Sequence, residues 1–443
     1  MTGWRNMTAG DLGRAISRGA IDPIALTEDY LNAIKSHDAG SRIYARLTED
    51  RALAEADAAA KRAKAGQRLS ALDGVPVSWK DLVDTAGVAT EAGSLLLEDR
   101  VPGRDAVVLR NATAQGLICL GKTHMTELAF SGLGLNPMTA TPPNVHDPAL
   151  VPGGSSSGAA TSVAFALAAA AVGSDTGGSV RLPAAWNDLV GLKTTSGRLS
   201  LDGVVPLVAS FDTIGPLTRN VEDAALMLAA FDGTKPADLR GASLKGARFM
   251  VLETLALEDC RDAPLAAFEE ALLRLAAHGA VIERRAMADL TDLIQSAGPL
   301  FTTEAYAIWR DVIEDAPDKM FAPIRDRFRA GRTTKGADFV AGWQKVQQGR
   351  KVWAEQTAGY DAVLLPTSPI MPPNAARLLE DHAYFISENL MALRNTRIGN
   401  ILGLSALTLP TATPSAGITL MGQPFGEERL LRLGAAAETA LRL

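Results

Sequence analysis

Two cysteines, Cys119 and Cys260, are all that the 443-residue sequence contains, and no C-x-x-C spacing joins them. A disulfide framework and a thiolate metal site are therefore excluded, and a reducing compartment is expected. Histidine is scarce too, with five in the chain. His37, His124 and His146 lack metal-ligand spacing, so no metal and no cofactor is expected. Long apolar runs are missing. The longest weakly polar one, the alanine-rich stretch 159–172, falls short of the roughly 20 residues that span a bilayer and reads as a buried core helix. The N-terminal "MTGWRNMTAGDLGRAI" has no signal-peptide core, so a cytoplasmic protein without a membrane partner is expected. Lysine and arginine are scattered and the net charge is −6, which gives nucleic acid no basic face to bind.

What is present is ordinary globular material, 47% hydrophobic and 21% charged, enough to bury a large core. Residues 1–66 read as helices, with Leu12, Ile16, Leu31 and Ile34 at helical spacing and Gly66 as a C-terminal cap. From about residue 70 the texture changes. "GVPVSWKDLV" and "GLICLGKT" read as buried strands with "DAVVLRNATAQ" as the helix between them, an alternation that points to an α/β sheet with helices on both faces. Residues 70–220 form the core of this reading, and 240–360 a mainly helical cover over a pocket, with one strand at "RFMVLE". Residues 361–443 add strands at "YDAVLLPTSP" and "LSALTLPTA" and a last helix. No repeat, linker or domain boundary interrupts residues 1–443.

Two familiar patterns fail on context. "GLICLGKT" spells a P-loop, but its variable positions are Leu, Ile, Cys and Leu, which belong inside a strand and not in a phosphate-wrapping loop. "GSSSG", around Ser156, spells a nucleophile elbow, yet Val151-Pro152-Gly153-Gly154 breaks the strand that an elbow requires. Only His278 and His382 follow it as partners. His278 reads as a helix end beside a glycine cap, and His382 as an exposed residue.

A serine system without histidine needs another base. Ser179 follows Thr176-Gly177-Gly178, a turn whose successive N–H groups can converge as an oxyanion hole requires. Lys80 closes an apolar strand. A solvated strand-end lysine fits that position, and so does a buried amine whose pKa is depressed enough to act as a base.

Several ordered blocks resemble the amidase signature family of serine hydrolases. They include "LDGVPVSWKDLVDTAGVATEAGS", "VPGGSSSGAATSVA", "VGSDTGGSVRLPAAWNDLVGLKTTSGRLS" and "GQPFGEERLLRL", and together they span nearly the whole chain. The resemblance implies a single large α/β domain with a central twisted mixed β-sheet covered by helices on both faces. It also implies a Ser–Ser–Lys triad, with Ser179 as nucleophile, Ser155 as a bridging serine in a cis peptide and Lys80 as base. Thr176, Gly177, Gly178 and Ser179 would supply the oxyanion hole. Ser156, Asp175 and Arg181 would support the two loops, and Ser131 and Gly132 would line the substrate pocket. Ser157, Thr194 and Asn187-Asp188 depart from the family's usual glycine, proline and cysteine-glycine.

The implied activity is hydrolysis of a small carboxamide to carboxylate and ammonia through an acyl-enzyme. Its alternatives are a urea-like or carbamoyl amide, of the biuret or allophanate type, and the glutamine-hydrolysing subunit of a tRNA amidotransferase. The expected partners are a small-molecule amide and, as a homodimer, a second copy of the chain. The aromatic residues Phe301, Tyr306, Trp309, Phe321, Phe328 and Trp343 are open to two readings, as the lining of an aryl pocket or as core.

Overall fold

The computed structural model describes residues 3–441. Its centre is one sheet of eleven strands. In chain order these are β1 (Tyr44–Leu47), β2 (Pro76–Lys80), β3 (Ile118–Thr123), β4 (Ala170–Ser174), β5 (Val190–Lys193), β6 (Ile214–Thr218), β7 (Arg248–Leu252), β8 (Val281–Arg285), β9 (Ala362–Pro366), β10 (Ala406–Pro410) and β11 (Gly417–Met421). Across the sheet the order is β1-β3-β2-β4-β6-β5-β10-β11-β9-β7-β8. β2 runs parallel to β3 and β4, and β7 parallel to β8 and β9, while the pairs between these groups are antiparallel. Every residue of β2, β3, β4, β9 and β11 is buried. Consecutive buried residues on a strand mean that both faces are covered, and helices supply the cover. The α/β expectation holds.

The short apolar segments became strands where expected, and "GLICLGKT" is indeed β3, with Lys122 buried inside the sheet instead of facing a phosphate. The helix Glu49–Lys64 gives way to Ala65 and then Gly66, which takes the left-handed φ of 68°. Helix Asp262–Ala277 stops at His278 with Gly279 at φ 96°.

Three expectations are corrected. The helical N-terminal segment contains β1, which pairs antiparallel with β3 at the sheet edge. The run 159–172 is not one helix. A helix spans Ser157–Ala164, Ala166 turns the chain at φ 55°, and β4 begins at Ala170. Alanine fits a buried helix and a closely covered strand equally well, so the run carries no period to separate them. The segment 240–360 is also not all cover. β7, helix Asp262–Ala277 and β8 form a parallel βαβ unit at the far edge of the sheet. The cover consists of helices Leu290–Asp315, Ala322–Arg329 and Gly336–Thr357. Its aromatic residues pack mainly on the body: Phe301 and Trp343 stack on Phe211 at 4.2 and 5.1 Å, and Phe328 meets Phe130 at 4.6 Å. No helix among the described residues is long and apolar enough to cross a membrane.

Candidate active site

β2 and β4 are parallel neighbours, so their C-terminal ends open on the same side of the sheet, where α/β proteins place their sites. Lys80 is the last residue of β2 and Ser174 the last of β4. The Lys80 side chain is wholly buried, and its Nζ lies 2.7 Å from Ser155 Oγ and 2.8 Å from Ser174 Oγ. Among the described residues no carboxylate bonds to it. Burial pulls the amine down from the usual lysine range to about 7, against the opposing pull of Asp175 and Asp212. A lysine in this state divides evenly between neutral and protonated forms near neutral pH, which is what a base requires.

Ser155 reaches Lys80 because the loop before helix Ser157–Ala164 is pinned from several sides. The Gly154–Ser155 peptide is cis. Gly154 N–H donates to the Gly132 carbonyl at 2.7 Å, and the Ser155 carbonyl accepts from Thr126 N–H at 3.1 Å. A Cβ on Gly154 would lie 2.7 Å from both Gly134 N and Thr126 Oγ1, so only glycine passes there. Ser156 ties this loop to the next one. Its N–H donates to the Ser179 carbonyl at 3.3 Å and its hydroxyl to the Ser174 carbonyl at 3.2 Å.

The loop 175–180 is organised by one buried carboxylate. Asp175 accepts from Gly178 N–H at 2.8 Å and Val180 N–H at 3.2 Å, and pairs with Arg181 through two contacts of 3.0 Å. Asn400 adds a bond to it at 2.9 Å and receives one from Arg181 at 2.6 Å. Burial alone would raise the Asp175 carboxyl; Arg181, Lys193 and Asn400 outweigh it and hold the group well below the usual carboxylate range. Ser179 is buried beside this turn, and among the described residues no hydrogen bond engages its Oγ. Of the four N–H groups expected to form an oxyanion hole, that of Gly178 donates to Asp175, whereas those of Thr176, Gly177 and Ser179 have no acceptor among the described residues.

The family model for amidases matches residues 25–431. The chain belongs to the amidase family. It is 35% identical over 431 residues to a 2-amino-5-chloromuconic acid deaminase of Comamonas testosteroni, covering 94% of this chain and 90% of that one. A glutamyl-tRNA(Gln) amidotransferase subunit of Thermobifida fusca is 30% identical, covering 100% and 97%. Among solved structures, the native peptide amidase of Stenotrophomonas maltophilia superposes with a TM-score of 0.81 at 26% identity, covering 98% and 97%. The protein is an amide-hydrolysing enzyme.

In this amidase the sequence-derived residues Lys80, Ser155, Ser156, Asp175 to Ser179 and Arg181 come together at one end of β2 and β4. Ser131 and Gly132 sit one layer out: Asn389 Oδ1 accepts from Ser131 Oγ at 3.0 Å and from Gly132 N–H at 2.8 Å. The departure at Asn187 has a packing reason. Its amide donates to the carbonyls of Pro152 at 2.7 Å and Pro183 at 2.8 Å, joining the segment before Ser155 to the helix after Ser179. Asp188 takes a positive φ of 53° and meets His146 at 2.7 Å.

Sequence reasoning missed four supports. Ser174, the second partner of Lys80, could have been found as the strand-end residue just before Asp175. Asp212 accepts from the Thr176 hydroxyl, Thr396 donates to the Gly177 carbonyl at 2.7 Å, and Asn400 braces Asp175. These three come from distant parts of the chain and have no local signal. Among the described residues no cluster of three or more His, Cys, Asp or Glu is placed to hold a metal ion.

The Asp175–Arg181 pair yields a stability prediction. Asp175→Asn leaves a wholly buried guanidinium without its counter-charge, a change that costs about 3–5 kcal/mol. Urea unfolding should show that loss, and an unfolding free energy within about 1 kcal/mol of wild type would remove Asp175 as the organiser of the loop.

Proposed function

We propose that this amidase cleaves a small carboxamide to carboxylate and ammonia through an acyl-enzyme on Ser179. The observation that carries the reading is the buried Lys80 amine, brought to about 7 and placed 2.7 Å from Ser155 Oγ. Neutral Lys80 takes the proton of Ser155, which takes the proton of Ser179 as Ser179 Oγ bonds to the amide carbonyl carbon. The N–H groups of Thr176, Gly177 and Ser179 receive the negative charge that develops on the carbonyl oxygen. Protonated Lys80 then returns its proton through Ser155 to the leaving nitrogen, and the C–N bond breaks. Water, deprotonated by the same relay, attacks the acyl carbon, and Ser179 leaves with its proton restored.

Release of ammonia, in place of a larger amine, is supported by the relative from Comamonas testosteroni, whose name makes it a deaminase. Likeness to a glutamyl-tRNA(Gln) amidotransferase makes glutamine the required control. An ammonia-release screen over aliphatic, aromatic, dicarboxylic and ureido amides, with glutamine included, tests the reading. A carboxamide should give the highest kcat/KM. Turnover confined to ureido compounds would replace the proposed substrate class, and turnover confined to glutamine would narrow it to that one amide and favour the amidotransferase reading.

A further inference from the structure

A cavity of about 310 Å³ lies between the cover and the helices that hold the nucleophile loop. Its walls include Phe301, Arg327, Phe385, Asn389 and Arg397. Asn389 and Arg397 come from the consecutive helices His382–Ala392 and Arg394–Ile401. These walls touch the catalytic loops from two directions. Asn389 bonds Gly132 N–H at 2.8 Å, and the Gly132 carbonyl accepts from Gly154, the residue before Ser155. Thr396, next to Arg397, bonds the Gly177 carbonyl at 2.7 Å and stands where a side chain at Gly178 would be.

The two arginines of this cavity are unlike most others in the protein. Neither forms an ion pair among the described residues. Arg327 donates to the Phe130 carbonyl at 3.0 Å and lies 4.4 Å over the Phe130 ring. Arg397 makes no side-chain hydrogen bond among the described residues. Its Nη2 is sealed from solvent without a partner, and its guanidinium stands 6.0 Å from the Phe301 ring. Burial pushes both guanidinium groups down, and Arg397 adds repulsion at Arg327. The acid on the cavity wall, Asp326, is exposed and pairs with Arg325, while His382 at the rim is exposed as well. Two partly buried cations lining one cavity with no ion-pair partner among the described residues are costly unless an anion arrives with the ligand.

We propose that the substrate carries a carboxylate in addition to its amide, and that Arg327 and Arg397 hold this carboxylate while the amide reaches Ser179. The inference rests on the amidase reading above and narrows its substrate to ω-carboxy amides. Arginine suits the task because its planar fork matches a carboxylate with paired N–H donors.

The test compares succinamate, glutaramate and adipamate with the neutral primary amides of the same chain length. At least one carboxylated member should exceed its neutral counterpart in kcat/KM by about 30-fold or more. Arg397→Met should remove that advantage mainly through KM, leave the turnover of neutral amides unchanged and not lower the melting temperature. Equal use of carboxylated and neutral amides by wild type overturns the inference, and so does an equal loss on both in Arg397→Met. Calorimetric binding of succinate, glutarate and adipate separates this question from the catalytic one. Binding by wild type that weakens about 30-fold in both Arg397→Met and Arg327→Met supports the carboxylate site even if Ser179 proves not to be the nucleophile. No binding of any of the three to wild type overturns it even if Ser179 proves to be so.

Discussion

Lys80→Met is expected to lower kcat by at least about 1,000-fold, the scale of a positioned base, while the protein stays folded. Among the described residues the amine is the one titratable group bonded to Ser155, so no neighbour can replace it. Stability moves the other way. The lysine's folded-state value of about 7 lies below its ordinary 10.5, so the folded protein binds fewer protons than the unfolded chain between those limits. Its stability contribution is therefore unfavourable at and below pH 7 and disappears above the unfolded value, a cost of about 4 kcal/mol at pH 7. Methionine fills similar space without charge. It leaves the hydroxyls of Ser155 and Ser174 one partner short, at about 1–3 kcal/mol each. Urea unfolding should thus find Lys80→Met within about 2 kcal/mol of wild type at pH 7, and less stable relative to wild type as the pH rises toward 10. A variant destabilised by more than about 3 kcal/mol at pH 7, or one retaining a tenth of wild-type turnover, would show that the amine is a charged structural group.

The three serines should separate by role. Ser179→Ala is expected to abolish turnover, at least about 10,000-fold, because it removes the oxygen proposed to bond to the substrate carbon. Ser155→Ala should cost about 100- to 1,000-fold, since the proposed nucleophile survives but its proposed proton path to Lys80 is cut. Ser156→Ala should have the smallest effect, for its hydroxyl bonds the backbone of Ser174 and no reacting group. Initial-rate kinetics on the best carboxamide from the screen give the order directly. A Ser156→Ala loss larger than that of Ser155→Ala would move the relay one residue along the chain.

Much of the candidate site was legible as a cluster because its parts are local. Ser155, Ser156, Asp175 and the 176–179 turn sit in two glycine-rich loops, and Lys80 ends an apolar strand that had to be buried. The N–H of Gly178 shows the limit of that reading. Sequence can place four amides in a turn, but only the folded loop shows that Asp175 has claimed one of them. The cavity arginines were illegible for a related reason. Arg327 and Arg397 belong to ordinary helical segments far apart in the chain, and only packing removes their counter-ions. Edge strands failed differently. β1 has four residues between helices, too few for a period of two to declare itself. β8 reads "VIERR", with an exposed charged edge that keeps it from pairing further but hides it as a strand.

The central claim is that neutral Lys80 activates Ser179 through Ser155. It is tested most directly by the rate of covalent labelling with a fluorophosphonate, followed across pH 5 to 9 with the adduct located by peptide mapping. The adduct should form on Ser179, at a rate that rises tenfold per pH unit below about 7 and levels off above it, as one amine loses its proton. An adduct on another residue, or a rate on Ser179 that is flat across this range, would contradict the account.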